Sequence, residues 1–259
     1  MFALKPLLIS VCSAFSLAAV AQDAVPGHLA ADTFFVHGNR RHPGKTSTQF
    51  LLPAAMLGYG FAAIRNHGFL QINEEFEEEL VTEHPHGAIH ADNYLQFGPA
   101  ATVYLLGFSG IKGYHNLRDK SAIFLLSNLF LNASSQLIKN AAGEMRPDGS
   151  ASSSFPSGHT AEAFAGAEFL RLEYKAVSPW YGIAGYAMAA TTGYLRMYNN
   201  KHWFNDVVAG AGLGIAATRL SWWLYPLIQR KLSHAHLKQT ALMPRYANHQ
   251  PQLALLHQF

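Results

Sequence analysis

Three short segments determine how this chain is interpreted: KNAAGEMRP at residues 139–147, PSGH at 156–159 and RMYNNKHWFND at 196–206. Written as patterns they are K-x6-R-P, P-S-G-H and R-x5-H-x3-D, in that order along the chain. The fixed positions of these patterns supply three cationic side chains, two histidines and one carboxylate. These are the groups needed to transfer a phosphoryl group without a metal ion.

The cationic side chains suit a phosphate. Arg146 and Arg196 offer planar guanidinium groups that can bind two oxygens at once, and Lys139 adds a mobile point charge. Together they would offset the negative charge that spreads over the equatorial oxygens during phosphoryl transfer. A single lysine or arginine near a helix end would more simply complement the helix dipole, so the order and spacing of the set favour the functional interpretation.

Local sequence also predicts where these residues lie. Pro147 predicts the end of a helix that carries Lys139 and Arg146, and the serine-rich run at 148–154 predicts a loop. Ser157-Gly158-His159 would then open the next helix, where free backbone N–H groups bind anions and glycine permits close approach.

The histidines supply the reactive groups. His202 and Asp206 are four residues apart, so on a helix starting near Trp203 they would share one face. The carboxylate would hold the imidazole in one tautomer and leave the other nitrogen free to attack phosphorus. His159 would then donate a proton to the departing oxygen, a contribution of about 10²–10⁴ in rate. The simpler alternative for the His202–Asp206 spacing is a surface pair.

Taken together, the three patterns resemble the type 2 phosphatidic acid phosphatase (PAP2) superfamily, which also includes bacterial acid phosphatases, glucose-6-phosphatase and vanadium haloperoxidases. The resemblance covers residues 94–226 and implies an all-α, PAP2/haloperoxidase-like helical bundle with the site at one end. It makes His202 the nucleophile, Asp206 its orienting partner and His159 the general acid. It also implies a set of phosphate-binding residues: Lys139, Arg146, Ser157, Gly158 and Arg196. No metal and no other cofactor is implied.

Two positions depart from the family pattern. Leu195 stands where the family usually has serine, which removes a possible hydrogen bond to substrate. Asn200 stands where glycine is common, two residues before His202, and asparagine tolerates the left-handed backbone region. We expect activity to survive both departures.

Composition limits the remaining classes. The 259 residues are enough for one domain with flanks, and a net charge of +3 is too small to indicate nucleic-acid binding. Residues 1–21 are typical of a signal peptide or a retained anchor and contain Cys12, the only cysteine in the chain. Cleavage would therefore leave a chain without disulfides or thiol chemistry. No obligate protein partner is predicted.

The rest of the chain divides by its apolar pattern. A polar arm at 22–48 precedes the phosphatase domain at 49–230, and a tail at 231–259 has the pattern of a short hairpin at 240–246 and 253–259. An amphipathic helix is predicted at 69–80. Close-packed helices rich in glycine, alanine and serine are predicted at 49–64, 94–111, 121–138, 180–195 and 207–228.

A second histidine group, His84, His86 and His90, lies on a loop containing proline and glycine. Three histidines could ligate a metal, but their spacing matches no helical or thiol-containing site. The sequence therefore predicts no metal centre here.

The sequence contains evidence both for and against helices that cross a membrane. Helices of these lengths approach the roughly 20 apolar residues needed to cross a membrane. The segment starting at Thr160, however, carries four charges that are expensive in hydrocarbon: Glu162, Glu168, Arg171 and Glu173. Positive connectors lie opposite the predicted site, which favours a membrane enzyme with its site in the periplasm: Lys112, Arg118, Lys120, Arg171, Lys175, Arg230 and Lys231. A cleaved signal together with a spanning segment at 49–64 would contradict this orientation.

The favoured hypothesis is a lipid-phosphate phosphatase in the inner membrane of a Gram-negative bacterium. Its substrate would be lipid A, phosphatidylglycerophosphate or undecaprenyl pyrophosphate; residues 111–198 are most similar to Bacteroidetes members of the family, some of which are lipid A phosphatases. Three alternatives stay open: a soluble periplasmic acid phosphatase, a vanadium haloperoxidase and a non-catalytic lipid binder.

Overall fold

The computed structural model describes residues 48–64, 67–236, 240–247 and 250–257. The signal segment at 1–21 and almost all of the arm at 22–48 lie outside these ranges. Apart from a C-terminal hairpin, the described chain is helical, as predicted. A 3₁₀ turn at Thr48–Phe50 and a π turn at Glu78–Thr82 accompany eight α-helices: α1 (Leu51–Ala63), α2 (His67–Glu77), α3 (Asp92–Leu95), α4 (Gly98–Phe108), α5 (Leu117–Ala142), α6 (Gly158–Tyr174), α7 (Pro179–Tyr198) and α8 (Phe204–His236).

Helix α6 is the centre of the bundle, and most of its residues are buried. It packs mainly against α7 and α8, while α8 also contacts α1 and α5. Glycines allow α8 to approach α6 closely: a Cβ atom on Gly214 would lie 2.2 Å from the Ala161 carbonyl oxygen, and one on Gly210 would lie 2.5 Å from that of Ser157. Small residues at this crossing therefore bring the start of α8 against the start of α6.

Two helix ends differ from the predictions. Helix α5 ends at Ala142, because Gly143 adopts a left-handed conformation (φ +60°) and its N–H bonds to the Lys139 carbonyl. Arg146 therefore lies on the following loop, so the prediction that a helix carries Arg146 up to Pro147 is wrong. Helix α8 continues to His236, beyond the end predicted at 228.

The amphipathic helix predicted at 69–80 forms as α2 and the π turn after it. Its aromatic side chain Phe76 stacks on Phe204 at the start of α8, with ring centroids 4.6 Å apart. Glutamates on the helix, Glu74 and Glu75 among them, are exposed. This contact places α2 beside the start of α8, close to His202 and Asp206.

Three of the four charges of α6, those of Glu168, Arg171 and Glu173, are paired within the protein. Glu168 is fully buried and accepts hydrogen bonds from Arg171 and Arg219 at 2.6–2.7 Å. Glu173 is buried against His115, at 2.8 Å. Because these carboxylates are paired inside the bundle, their presence in the sequence does not oppose a hydrocarbon environment outside it.

Two helices are long and apolar enough to cross a membrane, by length and composition: Leu117–Ala142 and Phe204–Lys231. The outward face of the first carries exposed leucines, with Leu125 at 73% and Leu137 at 71% exposure. One member of the predicted positive face is not available to solvent, since Lys120 is buried with its ammonium 5.6 Å from the Tyr174 ring centroid. The charge asymmetry is therefore weaker than the sequence indicates.

The tail forms the predicted hairpin. Strands β1 (Thr240–Ala247) and β2 (Gln250–His257) pair antiparallel, with Thr240 opposite His257 and Ala247 opposite Gln250. The second strand begins three residues earlier than predicted.

Candidate active site

The predicted site residues meet at one end of the bundle, where α5 and α7 end and α6 and α8 begin. Their mutual influence is visible at His159, whose pKa is lowered to about 4. Burial is the main cause, and the positive charges of Arg196, Arg146 and Lys139 add to it. Residues separated by up to 57 positions (139 to 196) thus share one electrostatic environment.

His202 is buried and held by a carboxylate. Its Nδ1 lies 3.2 Å from Asp206 Oδ2, which also accepts hydrogen bonds from the Ser154 hydroxyl (2.5 Å) and the Trp203 backbone N–H (3.0 Å). Burial holds the pKa of His202 well below its ordinary value, and the charges of Arg196 and Lys139 lower it further. The imidazole is therefore neutral at physiological pH. With Nδ1–H donating to Asp206, Nε2 keeps its lone pair.

Lys139 holds the loop between α5 and α6. Its ammonium donates to the backbone carbonyls of Ser153 (2.7 Å), Ser154 (3.3 Å) and Pro156 (2.7 Å). These contacts fix the loop on which Ser154 lies, and so hold the Ser154 hydroxyl against Asp206. The sequence indicates a phosphate contact for Lys139 but gives no sign of this structural one.

The two arginines each have a buried donor available. Arg196 is bound to Asp92 at 2.6 Å through Nη1, while its Nε has no hydrogen-bond partner within the described chain. Arg146 Nε is likewise buried and unpaired among the described residues. Its backbone is fixed by hydrogen bonds to Ala151 and Gly149. Buried N–H groups without partners are rare and costly, and both lie where an anion would be bound.

Ser157 and Gly158 open α6, as predicted. Ser157 is the extended residue before the helix, its N–H bonds to the Asp206 carbonyl at 3.0 Å, and its hydroxyl lies 2.9 Å from that of Thr160. A Cβ atom on Gly158 would meet nothing within 4 Å, so there is open space beside the helix start. The start of α6 therefore faces a region that a phosphate could occupy.

Both departures from the family pattern have a place in the structure. Asn200 adopts φ +56°, the left-handed conformation that asparagine tolerates. Leu195 is buried, at 8% exposure, so the replacement of serine puts an apolar side chain next to Arg196.

Four further polar residues belong to the site, and the sequence patterns missed them: Asp92, Asn93, Glu144 and Ser154. Asp92 and Asn93 come from α3, which brings Asn93 Oδ1 to 3.0 Å from His159 Nε2. Both partners are distant in sequence, so no local spacing could reveal them. Glu144 is different, because an acidic residue inside the K-x6-R-P segment is visible in the sequence.

Glu144 pairs with Asp206. Glu144 Oε2 and Asp206 Oδ1 are buried, and neither meets a donor from the described residues. Burial raises the pKa of Glu144 to about 8, and the charge of Asp206 and a hydrogen bond to it contribute. A protonated Glu144 that donates to Asp206 gives both oxygens a partner. The carboxylate behind His202 is then supported by Ser154, Trp203 and Glu144.

The second histidine group is occupied by other contacts. His84 Nδ1 lies 2.8 Å from the Glu79 carbonyl, and His86 Nε2 lies 2.7 Å from that of Leu80. The His86 ring stacks on Tyr198, with centroids 3.4 Å apart. Within the described ranges no three His, Cys, Asp or Glu residues are grouped to hold a metal ion.

Comparison with known proteins gives three results. The PAP2 superfamily profile matches residues 120–230. Over 158 residues, 60% of this chain, the sequence is 40% identical to a protein of Porphyromonas gingivalis named lipid A 1-phosphatase. This chain spans 35% of that relative's length.

Two solved structures also align. The crystal structure of Aquifex aeolicus LpxE has a TM-score of 0.44 and 23% identity, covering 58% of this chain and 93% of that one. A transmembrane PAP2-type phosphatidylglycerolphosphate phosphatase from Bacillus subtilis has a TM-score of 0.42 and 20% identity, covering 70% and 97%. The segment that the profile matches, residues 120–230, contains all three motifs of the site and is similar to the PAP2 superfamily.

Proposed function

We propose that this chain is a metal-independent phosphatase that removes phosphate from a membrane lipid through a phosphohistidine on His202. The observation that carries the proposal is the convergence of a buried, carboxylate-held His202 with His159 and three cationic side chains. Lys139, Arg146 and Arg196 supply positive charge where a transferring phosphoryl group would develop negative charge.

In the first step, His202 Nε2 attacks phosphorus while the bond from phosphorus to the leaving oxygen breaks. Asp206 accepts from Nδ1–H and stabilises the positive charge that develops on the ring. His159 gives its proton to the leaving oxygen. With its pKa lowered to about 4 in the unliganded site, His159 needs the negative charge of the bound phosphate to become a proton carrier.

In the second step, His159 takes a proton from water, which attacks phosphorus and breaks the P–N bond. Inorganic phosphate leaves, and His202 returns to its neutral form. Asn93, at 3.0 Å from His159 Nε2, fixes the orientation of this ring through both steps. The same histidine thus acts as acid and then as base.

A position at the membrane surface is supported by the two candidate spans. Lys139 lies near the end of Leu117–Ala142, and Asp206 lies near the start of Phe204–Lys231. Both helices thus present the site at one end, where a lipid phosphate group would lie. We propose the periplasmic face of the inner membrane. The relative named lipid A 1-phosphatase makes lipid A the preferred candidate among the three lipids.

The test is phosphate release by detergent-purified protein, without added metal, on lipid A, phosphatidylglycerophosphate, undecaprenyl pyrophosphate and p-nitrophenyl phosphate. We expect release from lipid A above the other lipids. Strong activity on the small ester with none on any lipid would favour a soluble-type acid phosphatase instead. Folded protein that releases phosphate from none of the four would contradict the proposed activity.

Glu144 provides a prediction about pH. Glu144→Leu removes the donor to Asp206 and is expected to lower kcat by roughly 10- to 100-fold, since one hydrogen bond to a charged group is worth about 1.5–3 kcal/mol. Glu144→Gln keeps an N–H donor and should stay within about threefold of the parent. Parent activity should fall as pH rises through about 8, where Glu144 ionises.

The measurement is a pH–rate profile of parent and both variants, with the exposed Glu75→Leu as control. The Gln variant should lose the part of the alkaline fall that comes from Glu144, since its amide does not titrate. If Glu144→Gln is as inactive as Glu144→Leu, Glu144 acts as a carboxylate. The claim that it donates a proton to Asp206 in a hydrogen bond is then wrong.

A further inference from the structure

A polar stripe runs along one face of α5. Asn128, Asn132 and Ser135 share one face of the helix with Lys139, at successive spacings of four, three and four residues. The opposite side carries the exposed Leu137, and the helix is a candidate membrane span. Polar side chains inside such a helix are expensive and usually have a function. The mechanism above uses only Lys139.

The stripe lines a cavity that begins at the phosphate-binding motif. The cavity has a volume of about 350 Å³, within the range of roughly 300–1,000 Å³ typical of small-molecule sites. Its polar side chains are Gln96, Asn128, Asn132, Ser135 and Glu162. Phe97, Leu131 and the backbone of Gly158 complete the lining. Gly158 opens α6 beside His159, so a group attached to the bound phosphate would extend into this space.

The cavity is also connected to the acid His159. The Gln96 side-chain nitrogen donates to the Asn93 carbonyl at 2.8 Å, and the Asn93 side chain contacts His159. The leaving oxygen must lie near His159 to receive its proton. The remainder of the leaving group would then lie against Gln96 and the stripe.

The lining chemistry selects the type of leaving group. Three amides, one hydroxyl and one carboxyl offer both donors and acceptors, and no cationic side chain of the described residues lines the space. The Asn132 nitrogen donates to the Asn128 carbonyl at 2.8 Å, while no described residue donates to its amide oxygen. Such a surface suits hydroxyl and amide groups. Glu162 would repel a second phosphate.

We propose that this cavity is the leaving-group subsite and takes a neutral sugar bearing hydroxyl and amide groups. The inference rests on the proposed phosphatase function and deepens it, because it favours a glycolipid 1-phosphate over a lipid pyrophosphate. In the pyrophosphate, the leaving group is itself an anionic phosphate and would face the Glu162 side chain.

The test compares substrates in the full-length, detergent-purified protein. Asn132→Leu should lower kcat/KM for lipid A about tenfold, the effect of losing one or two hydrogen bonds. The same variant should hydrolyse p-nitrophenyl phosphate within about twofold of the parent, because this ester has no sugar to lose contacts with the amide. Gln136→Leu is the matched control, since Gln136 is an exposed amide on the same helix that does not line the cavity.

A second variant tests the effect of the Glu162 charge. Glu162→Gln should raise the rate on undecaprenyl pyrophosphate relative to lipid A severalfold, because the repulsion of an anionic leaving group is removed. Equal losses on lipid A and p-nitrophenyl phosphate in Asn132→Leu, or no loss on either, would overturn the subsite. A parent protein active on p-nitrophenyl phosphate but not on lipid A would also overturn it, whereas a parent inactive on all substrates would instead refute the phosphatase function.

Discussion

His202→Ala is expected to reduce phosphate release by about 10⁴- to 10⁶-fold, the range seen when an enzyme loses its nucleophile. His202 is buried, neutral and oriented by Asp206, and in the mechanism it is the group that attacks phosphorus in the first step. Initial rates on lipid A would be measured at saturating substrate. His202 forms its bond to phosphorus during the reaction and not when substrate binds. The change should therefore alter KM little.

The matched control is His84→Ala, because His84 is exposed and contacts only the Glu79 carbonyl among the described residues. It should leave the rate unchanged. If His202→Ala kept more than about a hundredth of the parent rate, another group or water would have to attack phosphorus directly.

Asp206→Asn is expected to lower kcat by about 10³- to 10⁴-fold although the shape is preserved, as happens when a catalytic histidine is held in the wrong tautomer. In this variant the new amide nitrogen faces His202 Nδ1. Because an amide N–H is a donor, it cannot accept a hydrogen bond from Nδ1–H. That would move the ring proton to Nε2 and remove the attacking lone pair. Ser154→Ala, which deletes one hydrogen bond to Asp206 at 2.5 Å, should cause a smaller loss of about tenfold.

Nitrogen-15 NMR of labelled histidine distinguishes this explanation from misfolding. The parent should show His202 protonated at Nδ1, and the Asp206→Asn variant should show it protonated at Nε2. A folded Asp206→Asn variant with the parent's tautomer and the parent's rate would show that the carboxylate does not control His202.

The helical fold can be predicted because apolar segments and turn residues are local signals. Helix ends are harder to predict. The break after Ala142 depends on Gly143 adopting φ +60°, and a glycine permits this conformation without requiring it. Helix α8 runs past Pro226 to His236, because packing of the helix outweighs the one backbone hydrogen bond that proline removes.

The site shows the same division between local and long-range information. Residues within the three motifs can be identified from their spacing, and the structure places them together. The partners Asp92 and Asn93 cannot be identified in this way, since their contacts with Arg196 and His159 span 104 and 66 residues. The pairing of Glu144 with Asp206 depends on burial, which spacing alone does not determine.

Charged residues in a helix are also ambiguous in the sequence. Glu168 and Arg171 argue against a bilayer when only the sequence is considered, but the structure pairs them within the bundle. Only the direction of each side chain decides whether a charge meets lipid or protein. That direction depends on how α6 packs against α7 and α8.

The central claim is a covalent phosphate on His202, and trapping it is the most direct test. Protein would be mixed with ³²P-labelled lipid phosphate and quenched within milliseconds in denaturing alkali, which preserves phosphohistidine. For the His159→Ala variant the labelled substrate is p-nitrophenyl phosphate, whose leaving group needs no proton from His159. This variant should accumulate the label, because water attack on the intermediate loses its base. Peptide mapping should place the label on His202. Label on no residue, in a variant that still releases the first product, would contradict the phosphohistidine mechanism.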